Sequence, residues 1–411
     1  MSTEAEAGKE LPADEQGRSG PQRRVSVRVK VQPALLEWAQ ARSGVDDEKM
    51  RRLFPRFDEW KSRTRQPTIR QLQKFAATTY TPFGFLLLAE PPTETLPIAD
   101  FRTRAKSAAA SRTSANLLDT LYACQARQEW FRDNQLLYNE SPVEMVRSAT
   151  TTTSHVDAAS LLRGALGWDS EFRKNISSQE EALKELRERA EHIGVLVMIS
   201  GTVGSNTRRK LNPSEFSGFA LIDECAPLVF VNGADAKSAQ MFTLAHELAH
   251  LLLGETGLSD TSNQTVAEAN QERWCNAVAA ELLVPMADFR QRFDSRRGVR
   301  SQLESLARHY RVSTQTVLVR CREAGLIGQD ECMRELEIER ARTANHATQR
   351  DSSARGGNFY AMKSIQVGKR FARDVISSTF EGRTTYTEAY RLLDVKNANV
   401  IERFGQHLGI V

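Results

Sequence analysis

The chain has 411 residues, enough for about two or three domains with at least one sizeable core, so a single small module is excluded. With 40% hydrophobic and 26% charged residues it reads as an ordinary soluble globular protein, neither intrinsically disordered nor membrane-embedded. A net charge of +4 is small for this length, so any contact with nucleic acid has to come from a local basic patch. Cys124, Cys225, Cys275, Cys321 and Cys332 are scattered, odd in number and without a Cys-x-x-Cys pair, which fits a reducing compartment. The opening MSTEAEAGKE lacks the pattern of a secretory signal. The most apolar run, FGFLLLA at 83–89, falls far short of the roughly 18 to 20 residues that span a bilayer. A cytoplasmic protein without a membrane partner is expected.

Residues 1–24 are polar and mixed in charge, and they predict a disordered tail. Residues 25–92 carry short helical patterns, among them FDEWKSRTRQPTIRQLQKFAATT, where Pro67 and Thr68 start a helix and Ile69, Leu72, Phe75 and Ala76 recur at its spacing. A helical bundle closed by Pro91 and Pro92 is expected. Residues 93–190 read as a linker followed by helices. One runs from about Asn116 to Asn134, and another is opened by Ser178 and closed by Gly194. The period then changes. VLVMIS, GFALIDE and PLVFVN are short β-rich runs, the start of a core over 191–300, and a helix over Thr265–Leu283 stops near Pro285. Residues 301–333 read as a helix-turn-helix-like pair in which Ser313 caps the second helix and Gly325 ends it. A polar extension and linker over 334–357 leads to a C-terminal helical segment, 358–411. The fold class expected is α+β, mainly helical, with a small core of sheet and helices flanked by helical domains.

Chemistry concentrates in MFTLAHELAHLLLGE, Met241 to Glu255. On a helix His246 and His250, four apart, project from one face and can reach one ion, with Glu247 beside them. A hydrolytic zinc site takes three protein ligands and leaves a position for water, which a neighbouring carboxylate deprotonates. The next helix offers Glu268, Glu272 and Glu281 as the third ligand. Glu272 shares a face with Asn276, Ala279 and Leu283, whereas Glu281 is turned to the opposite side and Glu268 lies nearer the loop; spacing favours Glu272. Cys275 reads as a small buried thiol, not a ligand. His155, His192, His309, His346 and His407 have no metal-like partner spacing.

GFALIDECAPLVFVNGADAKSAQMFTLAHELAHLLLGE followed by QERWCNAVAAELLVP is similar to the catalytic core of ImmA/IrrE-type metallopeptidases. The positions that carry the resemblance are Asn232 at a strand end, Phe242 and Thr243, the triplet His246, Glu247 and His250, then Glu272 and Pro285. Val278 and Ala249 depart from the usual Phe and Gly and are packing positions. The resemblance covers about Val195 to Ile327. It implies His246, His250 and Glu272 as ligands of Zn2+, with Mn2+ as the alternative, and Glu247 as the base.

In zinc peptidases of this layout an edge strand pairs with the extended substrate, and Ser217, Gly218, Phe219 and Ala220 are the candidates here, against the alternative of an ordinary interior strand. The family's association with helix-turn-helix proteins makes residues 25–90 a candidate DNA contact, against a structural or docking bundle. Arg308, Arg311, Arg320 and Arg322 are read as a solvated face in preference to a phosphate-binding one. The function expected is a zinc-dependent endopeptidase cleaving an intracellular protein, a helix-turn-helix transcriptional repressor. The alternative is a DNA-binding regulator, or the antitoxin of a toxin-antitoxin pair with a toxin partner.

Overall fold

A computed structural model describes residues 27–92, 99–100, 113–254, 257–259, 266–350 and 358–410. The expected tail, 1–24, and the Gly356-Gly357 end of the expected linker lie outside them. The chain divides into two compact units, Met1–Thr93 and Glu94–Val411.

The first unit contains α1 (Pro33–Ser43), α2 (Asp47–Leu53), α3 (Phe57–Lys61), α4 (Ile69–Thr79) and a 3-10 turn, Phe83–Leu87. Local chemistry sets these boundaries. Asp46 accepts a hydrogen bond from the Lys49 amide at the start of α2, and Thr68 and Gln71 form a reciprocal capping box on α4. Leu35, Leu36, Met50, Phe57, Trp60, Leu72, Phe75 and Leu86 are buried together. Phe75 anchors this core, with the Phe54 and Phe57 rings each 5.6 Å away. The apolar run at 83–89 is the 3-10 turn, with Leu86 buried and Leu87 and Leu88 exposed. Among the described residues no helix is long and apolar enough to cross a membrane.

The second unit is built on a five-stranded sheet. Its strands in chain order are β1 (Ala99–Asp100), β2 (Leu196–Ser200), β5 (Gly218–Leu221), β6 (Leu228–Asn232) and β7 (Gly257–Ser259), and the order across the sheet is β1-β7-β5-β6-β2. A separate hairpin is formed by β3 (Thr202–Val203) and β4 (Asn206–Lys210). The central strands are buried on both faces, and their side chains alternate between two cores. Val197, Ile199, Ala220, Val229 and Val231 face one core. Leu196, Met198, Phe219, Leu228 and Phe230 face the other.

The first core is covered by α6 (His155–Leu166), α8 (Gln179–His192), α9 (Lys237–Leu253) and α10 (Val266–Leu283), with α12 (Val299–Tyr310) and α13 (Thr314–Glu323) packed behind them. Short α7 (Ser170–Lys174) and α11 (Met286–Arg292) join these helices, and α14 (Gln329–Arg350) follows α13. The second core is covered by α5 (Ala115–Leu137) and by α15 (Phe359–Val367), α16 (Lys369–Phe380), α17 (Tyr386–Leu393) and α18 (Ala398–Leu408). The C-terminal helices are therefore the outer layer on one face of the sheet. The helical pair after residue 300 shares the core on the other face.

Two sequence expectations need correction. β5 is an interior strand, paired antiparallel with β6 along one edge and with β7 along the other, where Gly218, Phe219 and Ala220 oppose Ser259, Leu258 and Gly257. Its ladder positions are taken on both sides, so it cannot receive a substrate backbone. The Ser217 carbonyl accepts from the Asn232 amide at 2.8 Å, and Phe219 stacks on Phe230 with centroids 5.0 Å apart. Ser217, Gly218, Phe219 and Ala220 are thus structural positions. The arginine face is also misread at two places. Arg320 is buried, ion-paired with Glu281 and with Glu323 at 2.7 Å, and bonded to the Val284 carbonyl at 2.6 Å. Arg311 donates to the Ile176 carbonyl at 2.9 Å, while Arg308 and Arg322 are exposed.

Candidate metal centre

Helix α9 begins after the turn that Asn232 builds: its side chain donates to the Phe216 carbonyl at 3.1 Å and accepts from the Ala234 amide at 3.1 Å. The helix ends at Gly254, whose φ of 73° places it in the left-handed region and lets its amide cap the His250 and Leu251 carbonyls. Leu244, Ala245, Leu248, Ala249, Leu251 and Leu252 pack α9 into the first core, and the histidines share that apolar setting.

His246, Glu247 and His250 are buried, with 5%, 0% and 1% exposure. Packing of α10 against α9 brings Glu272, 4% exposed, to the two imidazoles. His246 Nε2 and His250 Nε2 are 3.1 Å apart, and each lies 3.2 Å from one oxygen of the Glu272 carboxylate. Among the described residues these three side chains form the sole group of His, Cys, Asp and Glu whose donor atoms converge on one point, all within 4.8 Å. Glu268 is on the same helix, but its side chain lies outside the described residues. Glu281 is buried elsewhere in the unit, accepting from the Met286 amide at 3.2 Å and pairing with Arg320. Cys275 is buried in the apolar core.

The donor set fits a divalent metal. Ligand atoms about 2.0 to 2.1 Å from a tetrahedral zinc are about 3.3 Å from one another, close to the spacing here. Two nitrogens and a carboxylate that face each other in a dry interior also need a cation between them to be satisfied together. Burial pushes the His250 imidazole toward its neutral form, with His246 adding to the effect and Glu272 opposing it. At His246 burial acts the same way, but hydrogen bonding and charge attraction from Glu272 outweigh it and raise its pKa. Burial acts to raise the Glu272 pKa, yet the two imidazoles overcome it and hold the carboxyl down at about 2. An anionic carboxylate beside a neutral imidazole is the protonation state in which such ligands bind metal.

Two residues at this site escaped the sequence reading in that role. Asn276, one turn beyond Glu272, makes a polar contact with His246. Gly218 lies directly against the motif: a Cβ there would stand 2.6 Å from Thr243 Cγ2, 2.8 Å from the Phe230 carbonyl oxygen and 3.0 Å from Glu247 Oε1. A glycine opening a β-rich run carries no local sign of that approach, because Glu247 and Thr243 belong to a helix that reaches the strand only in the folded chain.

The family comparison matches this same stretch: residues 190–322 fit the model of the M78 peptidases, described as an IrrE N-terminal-like domain. Residues 190–322 are an ImmA/IrrE-type metallopeptidase domain. This peptidase domain takes in β2 to β7, helices α9 to α12 and nearly all of α13, and therefore includes all four motif residues. A second model, a domain of unknown function (DUF8813), matches residues 367–407, which cover the opposite face of the peptidase domain's sheet. A search of curated proteins found no match.

Proposed function

We propose that the protein is a metal-dependent endopeptidase that uses Zn2+, with Mn2+ as the alternative ion, and that it cleaves a helix-turn-helix repressor. The observation that carries this reading is the convergence of His246, His250 and Glu272 with the buried carboxylate of Glu247 on the same helix. His246, His250 and Glu272 would hold the metal and leave room for a fourth, exchangeable ligand. A metal so bound supplies a Lewis acid that polarises a carbonyl and acidifies water. Glu247 takes up a proton during attack on the peptide carbonyl and passes it to the departing amine. The apolar wall of α9 keeps bulk water from competing with these transfers. Repressor cleavage as the biological outcome is supported by the resemblance to ImmA/IrrE-type peptidases.

The test is incubation of the zinc-loaded protein with a helix-turn-helix repressor encoded beside its gene, followed by mass spectrometry. Cleavage at one position by the wild type, and none by Glu247→Gln at equal metal content, is the expected result. An intact repressor with both proteins, or equal cleavage by both, would remove this reading.

A further inference from the structure

A cavity of about 500 Å³ lies by the edge strand β2, where the layers over the two cores meet, bordered by α8, Ile199, the first turn of α9, α15 and α18. That volume falls within the roughly 300 to 1,000 Å³ of small-molecule sites. Its wall is apolar at Leu183, Ile199 and Leu408, which are 5%, 7% and 6% exposed. Into it comes the side chain of Arg187, only 7% exposed.

Arg187 is poorly satisfied for a buried cation. A guanidinium carries five N–H donors in a planar fork. Among the described residues its side chain makes one hydrogen bond, a long one of 3.4 Å from Nη2 to the adjacent Glu188, and its buried Nε makes none. The neighbouring carboxylate of Glu191 attracts Arg187 by charge, but the hydrogen bonds it accepts come from backbone at the start of α16, the Lys369 amide at 2.7 Å among them. A buried donor fork with one long hydrogen bond and an unpartnered Nε is costly. Lys184, Lys237 and Lys369 also border the cavity, against the acids Glu180 and Glu188, so its polar end is net cationic.

We propose that this cavity binds a small amphiphilic acid, its carboxylate on the Arg187 fork and its apolar body against Leu183, Ile199 and Leu408. The planar fork matches a carboxylate in bidentate geometry. The site is separate from the metal centre and does not depend on peptidase activity. It includes Lys237 and Gln240 of the helix that carries the metal-binding histidines, so a bound acid would rest on the start of that helix.

The experiment is isothermal titration of the full chain with octanoate, with 1-octanol and inorganic phosphate as separate probes. Saturable binding of one octanoate, weakened at least tenfold for 1-octanol and for Arg187→Gln, is expected. Ile365→Trp, at a 38% exposed position on the cavity rim, should block octanoate while leaving Arg187 in place. Arg187→Lys, which keeps the charge but loses the fork, should bind at an intermediate level. The proposal is overturned by absence of saturable octanoate binding, or by binding that neither Arg187→Gln nor Ile365→Trp weakens while both variants remain folded by circular dichroism. Phosphate binding without octanoate binding would overturn it as well, since the apolar wall would then have no role.

Discussion

Gly218 offers a sharp test of how the catalytic helix is seated. In Gly218→Ala the new methyl would stand 2.6 Å from Thr243 Cγ2, 2.8 Å from the Phe230 carbonyl oxygen and 3.0 Å from Glu247 Oε1. Ordinary carbon contacts lie near 3.5 to 4.0 Å, so each neighbour has to retreat by about 0.5 to 1 Å. The Phe230 carbonyl belongs to a paired strand and is hard to move, which directs the strain toward α9 and the Glu247 side chain. Overpacking of this kind costs about 1 to 3 kcal/mol. For a unit of this size that corresponds to a fall in Tm of about 2 to 10 °C. Displacing a proton-transfer group by about 1 Å costs on the order of 100-fold in rate, so peptidase activity should fall further than stability does. Metal content should be unchanged, because the substitution touches none of the three ligands. Thr243→Ser removes the nearest methyl, so the double variant should recover part of the lost Tm. Differential scanning calorimetry and kcat/KM on a cleaved peptide read both effects. A Gly218→Ala protein with wild-type Tm and activity would refute the reasoning.

Further outcomes follow from buried charges and from the proposed base. Arg320→Met leaves the buried Glu281 without its cationic partner, and urea denaturation should register a loss of about 3 to 5 kcal/mol, against a smaller one for Glu281→Gln, where Arg320 keeps Glu323, and a much smaller one for the exposed Arg322→Met. Burial pulls the Lys363 ammonium down to about 8 from its ordinary 10.5, despite Asp394 at 3.3 Å. Between those values the unfolded chain holds the extra proton, so stability should rise with pH by about 3 kcal/mol across the window, the penalty being complete below about 8. The difference in denaturation midpoint between wild type and Lys363→Met, followed from pH 7.5 to 10.5, isolates that slope; parallel curves would contradict it. Glu247→Gln should retain its metal and lose about 100-fold or more in peptide hydrolysis, measured at saturating zinc.

The metal site was legible because most of it is local. His246 and His250 are fixed on one face by helical periodicity alone, and Glu272 was reachable because Asn276, Ala279 and Leu283 mark the inward face of its helix. Other features depend on contacts between distant parts of the chain. β5 was read as a candidate edge because its second neighbour, β7, is a three-residue strand some forty positions later. Arg320 resembles any arginine on an amphipathic helix until Glu281, 39 residues earlier, is folded against it. The C-terminal helices read correctly as helices, but nothing in their periodicity said that Phe371 and Phe404 would cover the same sheet face as Phe219 and Phe230. Periodicity reports which face of an element is apolar, and leaves open what that face meets.

The central claim is that His246, His250 and Glu272 form a three-ligand metal centre, and metal content per chain tests it most directly. Purified wild type, Glu272→Ala and Glu268→Ala would be supplemented with zinc or manganese, desalted and analysed by mass spectrometry for metal. About one equivalent in the wild type and in Glu268→Ala, with loss in Glu272→Ala, is the predicted result. No metal in the wild type after supplementation, or a full equivalent retained by Glu272→Ala, would contradict the account.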